Sequence, residues 1–95
     1  MAQNFPNPFN GGTTIRYTLS YQSHTSLKIY NILGQEVRLL VDGVENAGEM
    51  SVRWDGLNNA GGPVASGVYF YRLAVGALRV AGESFTQVKK MAVLR

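Results

Sequence analysis

Two apolar segments joined by a long polar turn constrain this chain more than any other feature. Met50, Val52 and Trp54 alternate with polar residues, which is the period of a strand with one buried face. Residues 55–63 are rich in Asp, Asn, Gly and Pro, the residue types that form turns. From Val68 to Val75 nearly every residue is apolar. This second segment suits a central strand covered on both faces, or one whose outer face meets a partner.

The largest side chains of the chain predict where its core lies. Trp54, Tyr69 and Tyr71 belong to the two apolar segments, so a small core must be built around them. Tyr69 also has the spacing of a tyrosine corner, in which the hydroxyl bonds to the backbone just before it. Any β-sandwich with an aromatic strand is the alternative. We further expect Gly34 at positive φ in a turn, and Gly67 where a side chain would crowd the start of the strand.

Length and composition exclude several classes of protein. The 95 residues make one domain, and 45% hydrophobic against 16% charged residues is typical of a globular chain. Without cysteine there is no disulfide, thiolate metal site or cysteine nucleophile, although this does not fix the compartment. The net charge of +3 comes from scattered basic residues, which favour solvated faces over a nucleic-acid footprint. No apolar run approaches the length of a membrane span.

The remaining patterns complete an all-β prediction. Residues 1–12 form an extended lead-in, because residues before proline avoid the helical region, and residues 13–95 form the domain. Phe5 and Phe9 pin the lead-in to the domain edge, unless it is a linker remnant. Seven short segments read as strands: Thr14–Leu19, Ser26–Asn31, Glu36–Val41, Glu49–Trp54, Pro63–Ala65, Gly67–Val75 and Phe85–Leu94. They predict an immunoglobulin-like β-sandwich of about seven antiparallel strands.

Loops separate these predicted strands. Residues 20–25 form a polar loop that contains His24, the only histidine, and such a residue is usually solvated. Asp42-Gly43 ends the third strand. Residues 76–83 form a glycine-bounded loop whose tip, at 78–80, can hold a hairpin. The N-terminus lacks the basic and apolar regions of a signal peptide, so any export signal is expected to lie outside this chain.

The sequence carries no sign of catalysis. There is one histidine, and no Gly-x-Ser-x-Gly motif occurs, so we expect no enzyme activity and no cofactor. Asp55, Asn58 and Asn59 could offer oxygens to Ca²⁺, but Asx turns explain them better and no metal site is expected. A sugar-binding module is a further alternative, since an exposed aromatic platform could form at Tyr21, Tyr30 or Phe70.

An ordered set of motifs resembles a known family along essentially the whole chain. Each motif is weak alone, but the set is specific: Asn7-Pro8-Phe9-Asn10, Thr14-Ile15-Arg16-Tyr17, residues 27–37, Ala47-Gly48, Trp54-Asp55-Gly56, Gly67–Leu73 and Lys89-Lys90-Met91. The set resembles the type A C-terminal sorting domain of the type IX secretion system of Bacteroidetes. Part of it also resembles the immunoglobulin-like domain of the flagellar hook-cap protein. The chain departs from the simplest sorting-domain pattern in a longer loop at residues 76–83.

The resemblance implies a secretion address for a larger exported protein. Its N-terminal passenger would reach the periplasm, and the outer-membrane translocon would then recognise the folded C-terminal domain. In related systems a sortase-like protease removes the domain at the cell surface. No nucleic acid and no direct membrane span are implied. The alternative is a non-catalytic spacer, adhesive or carbohydrate-binding module of an extracellular protein.

The C-terminal strand is the candidate recognition surface. Met91 and Val93 share a face, but the adjacent Lys89 and Lys90 force one lysine to point with the core residues or to sit at a bulge. Lysines also protect edge strands against aggregation, which is the structural explanation. The functional hypothesis is that a partner adds a strand to an exposed backbone edge and that the lysines and Arg95 supply complementary charge. The tentative recognition residues are therefore Lys89, Lys90, Met91, Val93 and Arg95.

Overall fold

Six antiparallel strands make two sheets in the computed structural model, which describes residues 1–78 and 84–95. The strands are β1 (Thr13–Leu19), β2 (Ser23–Tyr30), β3 (Glu36–Glu45), β4 (Gly48–Trp54), β5 (Gly67–Ala77) and β6 (Phe85–Val93). β1 pairs with β4, and the other four strands lie in the order β3-β2-β5-β6. The all-β, two-sheet prediction is confirmed, with six strands in the described residues in place of about seven.

The missing strand is the one predicted at Pro63–Ala65. This segment makes only an isolated bridge, between Leu57 and Pro63, because proline has no backbone N–H for a ladder. Val64 is buried in the core, and its N–H donates to the carbonyl of Gly56 at 3.0 Å. The segment therefore packs as an ordered loop.

The second half of the loop predicted at residues 20–25 is strand. Ser23 and Thr25 are buried residues of β2, so the alternation continues through small polar side chains that carry no hydrophobic signal. His24 lies between them on the exposed side of the strand, with its Nε2 3.6 Å from Asp42 Oδ1. The prediction that the third strand ends at Asp42-Gly43 was also wrong, because both residues pair with β2 inside β3.

β5 is central in its sheet, between β2 and β6. Tyr69, Tyr71, Leu73 and Val75 are buried, and the residues between them are partly or fully exposed. Among the described residues, one face of β5 is buried and the other is partly exposed, so the apolar run did not mean burial on both faces. The strand also continues through Gly76, where a loop was predicted. Apart from Leu78, the expected hairpin tip at 78–80 lies outside the described residues.

The core is built around Trp54, as predicted. Its ring is fully buried and makes edge contacts with Phe9 and Tyr69 at centroid distances of 5.5 and 5.9 Å. The indole N–H donates to the carbonyl of Leu57 at 2.9 Å, so its polar group is satisfied. The tyrosine corner is confirmed, because Tyr69 Oη donates to the carbonyl of Ala65 at 2.7 Å.

The predictions for Gly34 and Gly67 had different outcomes. Gly34 has φ of 79° in the turn between β2 and β3, which confirms the prediction. The prediction that a side chain at Gly67 would crowd the start of the strand was wrong, because a Cβ there would meet nothing within 4 Å. Its constraint is conformational: φ is 154°, a backbone geometry that side chains disfavour.

Candidate functional site

β6 is the edge strand of the larger sheet and pairs with β5 along its whole length. The register runs without a shift from Gly67 opposite Val93 to Val75 opposite Phe85. Adjacent lysines are therefore accommodated by simple alternation, with no bulge. Lys89 points to the same face as the core residues and is half-buried opposite Tyr71, whereas Lys90 is exposed opposite Phe70.

Three of the five tentative recognition residues are engaged within the domain. Met91 and Val93 are each only 1% exposed and belong to the core, so their side chains are not available to a partner. Arg95 ties the C-terminal end to two loops: its Nη2 donates to the carbonyl of Gly56 at 2.7 Å, and its backbone N–H donates to Ser66 Oγ at 2.8 Å. Lys89 and Lys90 remain as candidate contacts.

The lead-in covers one end of the β6 edge, which sequence reasoning had left open. Phe9 forms a parallel bridge with Val93: its N–H donates to the carbonyl of Ala92 at 3.2 Å, and its carbonyl accepts from Leu94 at 2.9 Å. The Ala92 N–H donates to Asn7 Oδ1 at 2.9 Å. The backbone edge from Ala92 onward is thus already occupied by the protein's own chain.

The same lead-in also joins the smaller sheet. The N–H of Ala2 donates to the carbonyl of Arg16, and Phe5 exchanges two backbone hydrogen bonds with Thr14. Residues 1–12 therefore bridge the two sheets along one side of the sandwich. Both phenylalanines were expected to pin the lead-in to the domain: Phe9 does so as a core residue, whereas Phe5 is 79% exposed and pins the chain only through its backbone.

A buried polar cluster holds the lead-in in place. The backbone N–H of Asn4 donates to Tyr71 Oη at 2.9 Å, and that hydroxyl donates to the carbonyl of Ala2 at 3.1 Å. Asn4 Nδ2 donates to Thr13 Oγ1 at 3.0 Å, and Thr13 Oγ1 donates to the carbonyl of Pro6 at 2.8 Å. Sequence reasoning missed this cluster because its only signal was a single Asn before a proline-rich segment and a Thr after it.

The remaining part of the β6 edge, Thr86–Lys90, is open. Ala92 directs its N–H and carbonyl away from β5. The direction of the backbone groups alternates along a strand, so the N–H and carbonyl groups of Lys90, Val88 and Thr86 also point away from β5. The carbonyl of Lys90 accepts from Gln3 Nε2 at 2.8 Å. In the part of the chain that the structure describes, the other outward backbone groups of these three residues have no assigned protein partner.

The outward face of the larger sheet carries the aromatic residues considered for sugar binding. Tyr30 and Phe70 are cross-strand neighbours and half-buried. The Arg72 guanidinium carbon lies 5.0 Å from the centre of the Tyr30 ring, in a cation–π contact. The ring of Tyr30 is therefore partly covered by the chain itself. Tyr21 lies apart from them, between β1 and β2.

Two of the three polar residues considered for Ca²⁺, Asp55 and Asn58, form Asx turns. Asp55 Oδ1 accepts from the N–H of Leu57 at 3.0 Å, and Asn58 Oδ1 accepts from the N–H groups of Ala60 and Gly62 at 3.0 and 2.9 Å. This confirms the preferred interpretation for these two residues, whereas Asn59 Oδ1 accepts from the N–H of Leu39 on β3. Among the described residues, no three His, Asp or Glu side chains come together as metal ligands. Over the same residues, no helix has the length and apolar character needed to cross a membrane.

Comparison with solved structures places the fold among known bacterial proteins. Dimeric latent PorU from Porphyromonas gingivalis matches 97% of this chain with a TM-score of 0.77 at 23% identity. PorZ, an essential surface component of the type IX secretion system of the same species, matches 98% with a TM-score of 0.54 at 31% identity. FlgD from P. aeruginosa matches 85% with a TM-score of 0.65 at 20% identity.

These solved proteins are longer than this chain. The chain spans 9% of PorU, 11% of PorZ and 61% of FlgD. No curated protein sequence matches it. The family model of the FlgD Ig-like domain matches residues 4–78, from the lead-in through β5. The immunoglobulin-like fold prediction is thereby confirmed, and the chain belongs to the FlgD Ig-like domain family.

Proposed function

We propose that this domain is a C-terminal sorting domain, which directs an exported passenger through the type IX outer-membrane translocon. The passenger precedes the lead-in, and the translocon reads the folded sandwich. The domain itself performs no catalysis and uses no cofactor. It works in the periplasm during transit and then at the cell surface or in the medium, where a sortase-like protease can remove it.

The observation that carries this proposal is the likeness to PorZ, a surface component of a type IX system. It reaches 31% identity and covers 98% of this chain. The likeness to PorU, at 23% identity, supports the shared fold only. The likeness to PorZ, together with the ordered motifs from Asn7-Pro8-Phe9 to Lys89-Lys90-Met91, favours a type IX role over a flagellar one.

The extent of each match points to β6 as the distinguishing segment. The FlgD Ig-like family model ends at residue 78, before β6 begins. The match to PorZ covers 98% of the chain, so it includes most of β6. β6 also carries the two lysines that remain available to a partner. This supports recognition through β6.

The second candidate is a non-catalytic spacer or adhesive module. The family match is the observation behind this candidate, because FlgD-type immunoglobulin-like domains share the fold, and the fold alone does not determine function. The two candidates differ in one consequence: a sorting domain exports whatever protein precedes it, whereas a spacer does not.

A fusion experiment tests the proposal. Residues 1–95 are placed behind a periplasmic reporter in a bacterium with a type IX system, and the reporter is measured in the periplasm and in the medium. Export of the fusion but not of the bare reporter is expected. Retention of the intact, folded fusion in the periplasm would rule out the sorting function and favour the spacer.

Point substitutions locate the recognition surface better than a deletion. Removing residues 89–95 would also remove the core side chains of Met91 and Val93 and unfold the domain. Lys90→Glu reverses one exposed charge on β6, and Arg16→Glu makes the same charge change at an exposed position of β1. We expect Lys90→Glu to reduce export and Arg16→Glu to leave it intact, with both purified domains folded. Equal effects would show that net charge matters and that β6 does not.

A further inference from the structure

We infer that the open part of the β6 edge, Thr86–Lys90, accepts an extended acidic segment of a partner protein as an added strand. The inference deepens the proposed function and rests on it for the partner's biological role. The binding itself follows from the backbone and the charges of this edge.

The backbone supplies the first argument. Thr86 and Val88 each direct an N–H and a carbonyl away from β5, and Lys90 adds a further N–H. Such a row of unpaired groups is a template for another strand. Val88 is 55% exposed, so a partner strand can reach this position.

The protein itself demonstrates that this edge accepts an extended segment. Phe9 already pairs with β6 between Ala92 and Leu94, through two backbone hydrogen bonds. The lead-in leaves the edge at Asn7, and two further contacts reach β6 from it: Gln3 Nε2 donates to the carbonyl of Lys90, and the N-terminal amine of Met1 donates to the side-chain oxygen of Gln87. An added strand over Thr86–Lys90 would continue the same line of pairing.

The charges specify the chemistry of the partner. Lys90 projects to the outer face and Lys89 to the inner one, so two adjacent residues of an added strand would each lie beside a lysine. Opposite charges in such cross-strand positions are stabilising, and like charges are not. The segment should therefore carry two adjacent acidic residues, with an apolar or β-branched residue beside Val88.

A second copy of this chain fits the edge less well. The acidic strand of the domain is β3, but its carboxylates already have partners within the chain. Glu36 Oε1 lies 3.4 Å from Lys28 Nζ, Asp42 lies beside His24, and Glu45 Oε1 accepts from Tyr17 Oη at 2.6 Å. The N–H of Leu39 on the β3 edge is also taken, by Asn59 Oδ1 at 2.9 Å. A separate acidic partner is therefore favoured.

Amide hydrogen exchange in the domain tests strand addition directly. The probe is a short synthetic peptide of valine and threonine around two adjacent central glutamates; the control peptide has lysines in their place. In the free domain the outward amides of Val88 and Lys90 should exchange fast, and the inward amides of Gln87 and Lys89 slowly. The acidic peptide should slow the outward amides alone, whereas the lysine peptide should not.

Two variants separate backbone pairing from charge. Val88→Pro removes an outward N–H that no sheet bond uses, so the fold tolerates it, and it should weaken peptide binding by roughly tenfold or more. Val88→Ala keeps that N–H and should bind like the wild type. Lys89→Gln with Lys90→Gln should weaken binding by roughly two- to tenfold through lost cross-strand pairs. The exchange pattern in the wild type needs no variant, so the test stands even if Val88→Pro folds poorly.

The outcomes separate this inference from the sorting function. Strand addition would be overturned if the peptide bound without slowing hydrogen exchange at the outward amides. Equal peptide binding by Val88→Pro and Val88→Ala would overturn it as well. Slowed outward amides in concentrated domain without peptide would identify a second copy as the occupant and would also overturn it. A fusion that is exported although the domain binds no acidic peptide would leave the sorting function standing and refute this inference alone.

Discussion

The backbone N–H of Asn4 donates to the hydroxyl of Tyr71 across 2.9 Å in the interior, and this bond joins the lead-in to the central strand of the larger sheet. Asn4 is 2% exposed and Tyr71 is fully buried. Their separation of 67 residues makes this one of the long-range contacts on which the lead-in depends.

Tyr71→Phe tests that bond. The variant leaves the buried N–H of Asn4 without a partner, and we expect the free energy of unfolding to fall by about 1–3 kcal/mol. Tyr69→Phe removes one hydrogen bond, to a carbonyl in the exposed segment around Ala65, and should cost about 0.5–1.5 kcal/mol. Chemical denaturation measures both. A smaller loss for Tyr71→Phe than for Tyr69→Phe would contradict the role given to the lead-in cluster.

The contrast between predicted and observed strands has a physical cause. β1 was predicted to within one residue because Ile15, Tyr17 and Leu19 alternate with polar residues and are all buried. The start of β2 was missed because its buried residues there, Ser23 and Thr25, are polar. Hydrophobic periodicity reports burial only where the buried residue is apolar.

The candidate site was predictable only in its local part. The alternation of Lys89 and Lys90 across the two faces of β6 follows from strand geometry alone. The cover over one end of the β6 edge comes from Gln3, Asn7 and Phe9, more than 80 residues away along the chain. No local pattern encodes such a contact, so the sequence left the whole edge open.

Gly34 and Gly67 are expected to resist substitution for the same reason, although their surroundings are empty. An added Cβ would meet nothing within 4 Å at either position, but φ is 79° at Gly34 and 154° at Gly67. Alanine at either should cost about 1–3 kcal/mol in backbone strain. Gly43→Ala is the control, because that position is equally open and has no positive φ. Thermal unfolding in which all three variants match the wild type would refute the conformational explanation.

Alkaline pH should destabilise the domain through two buried phenols. Burial raises the pKa of Tyr17, and the hydrogen bond to Glu45 and the charge of its carboxylate raise it further. Burial also raises the pKa of Tyr71, while the hydrogen bond from Asn4 opposes the shift. The folded state therefore keeps protons that the unfolded chain loses above pH about 10. Their stabilising contribution is complete below that pH and declines as pH rises beyond it.

Tyr17→Phe isolates one of these contributions. The variant loses the bond to Glu45, so it should be less stable than the wild type near neutral pH. Above pH about 10 its free energy of unfolding should fall less steeply, because one raised pKa is gone. Urea unfolding at a series of alkaline pH values measures both slopes. Parallel curves for the two proteins would contradict the assignment to Tyr17.

The two phenylalanines of the lead-in offer a matched pair for the final prediction. Phe9 is buried against Trp54 at a ring distance of 5.5 Å, whereas Phe5 is 79% exposed, and both make backbone hydrogen bonds that alanine would keep. Phe9→Ala should therefore cost about 3–5 kcal/mol through the cavity it leaves. Phe5→Ala should change the free energy of unfolding by no more than about 0.5 kcal/mol. Denaturant titration of both variants decides whether residues 1–12 belong to the folded unit. Two equally small losses would mean that the lead-in is a dispensable linker, and the occupied end of the β6 edge would then be open as well.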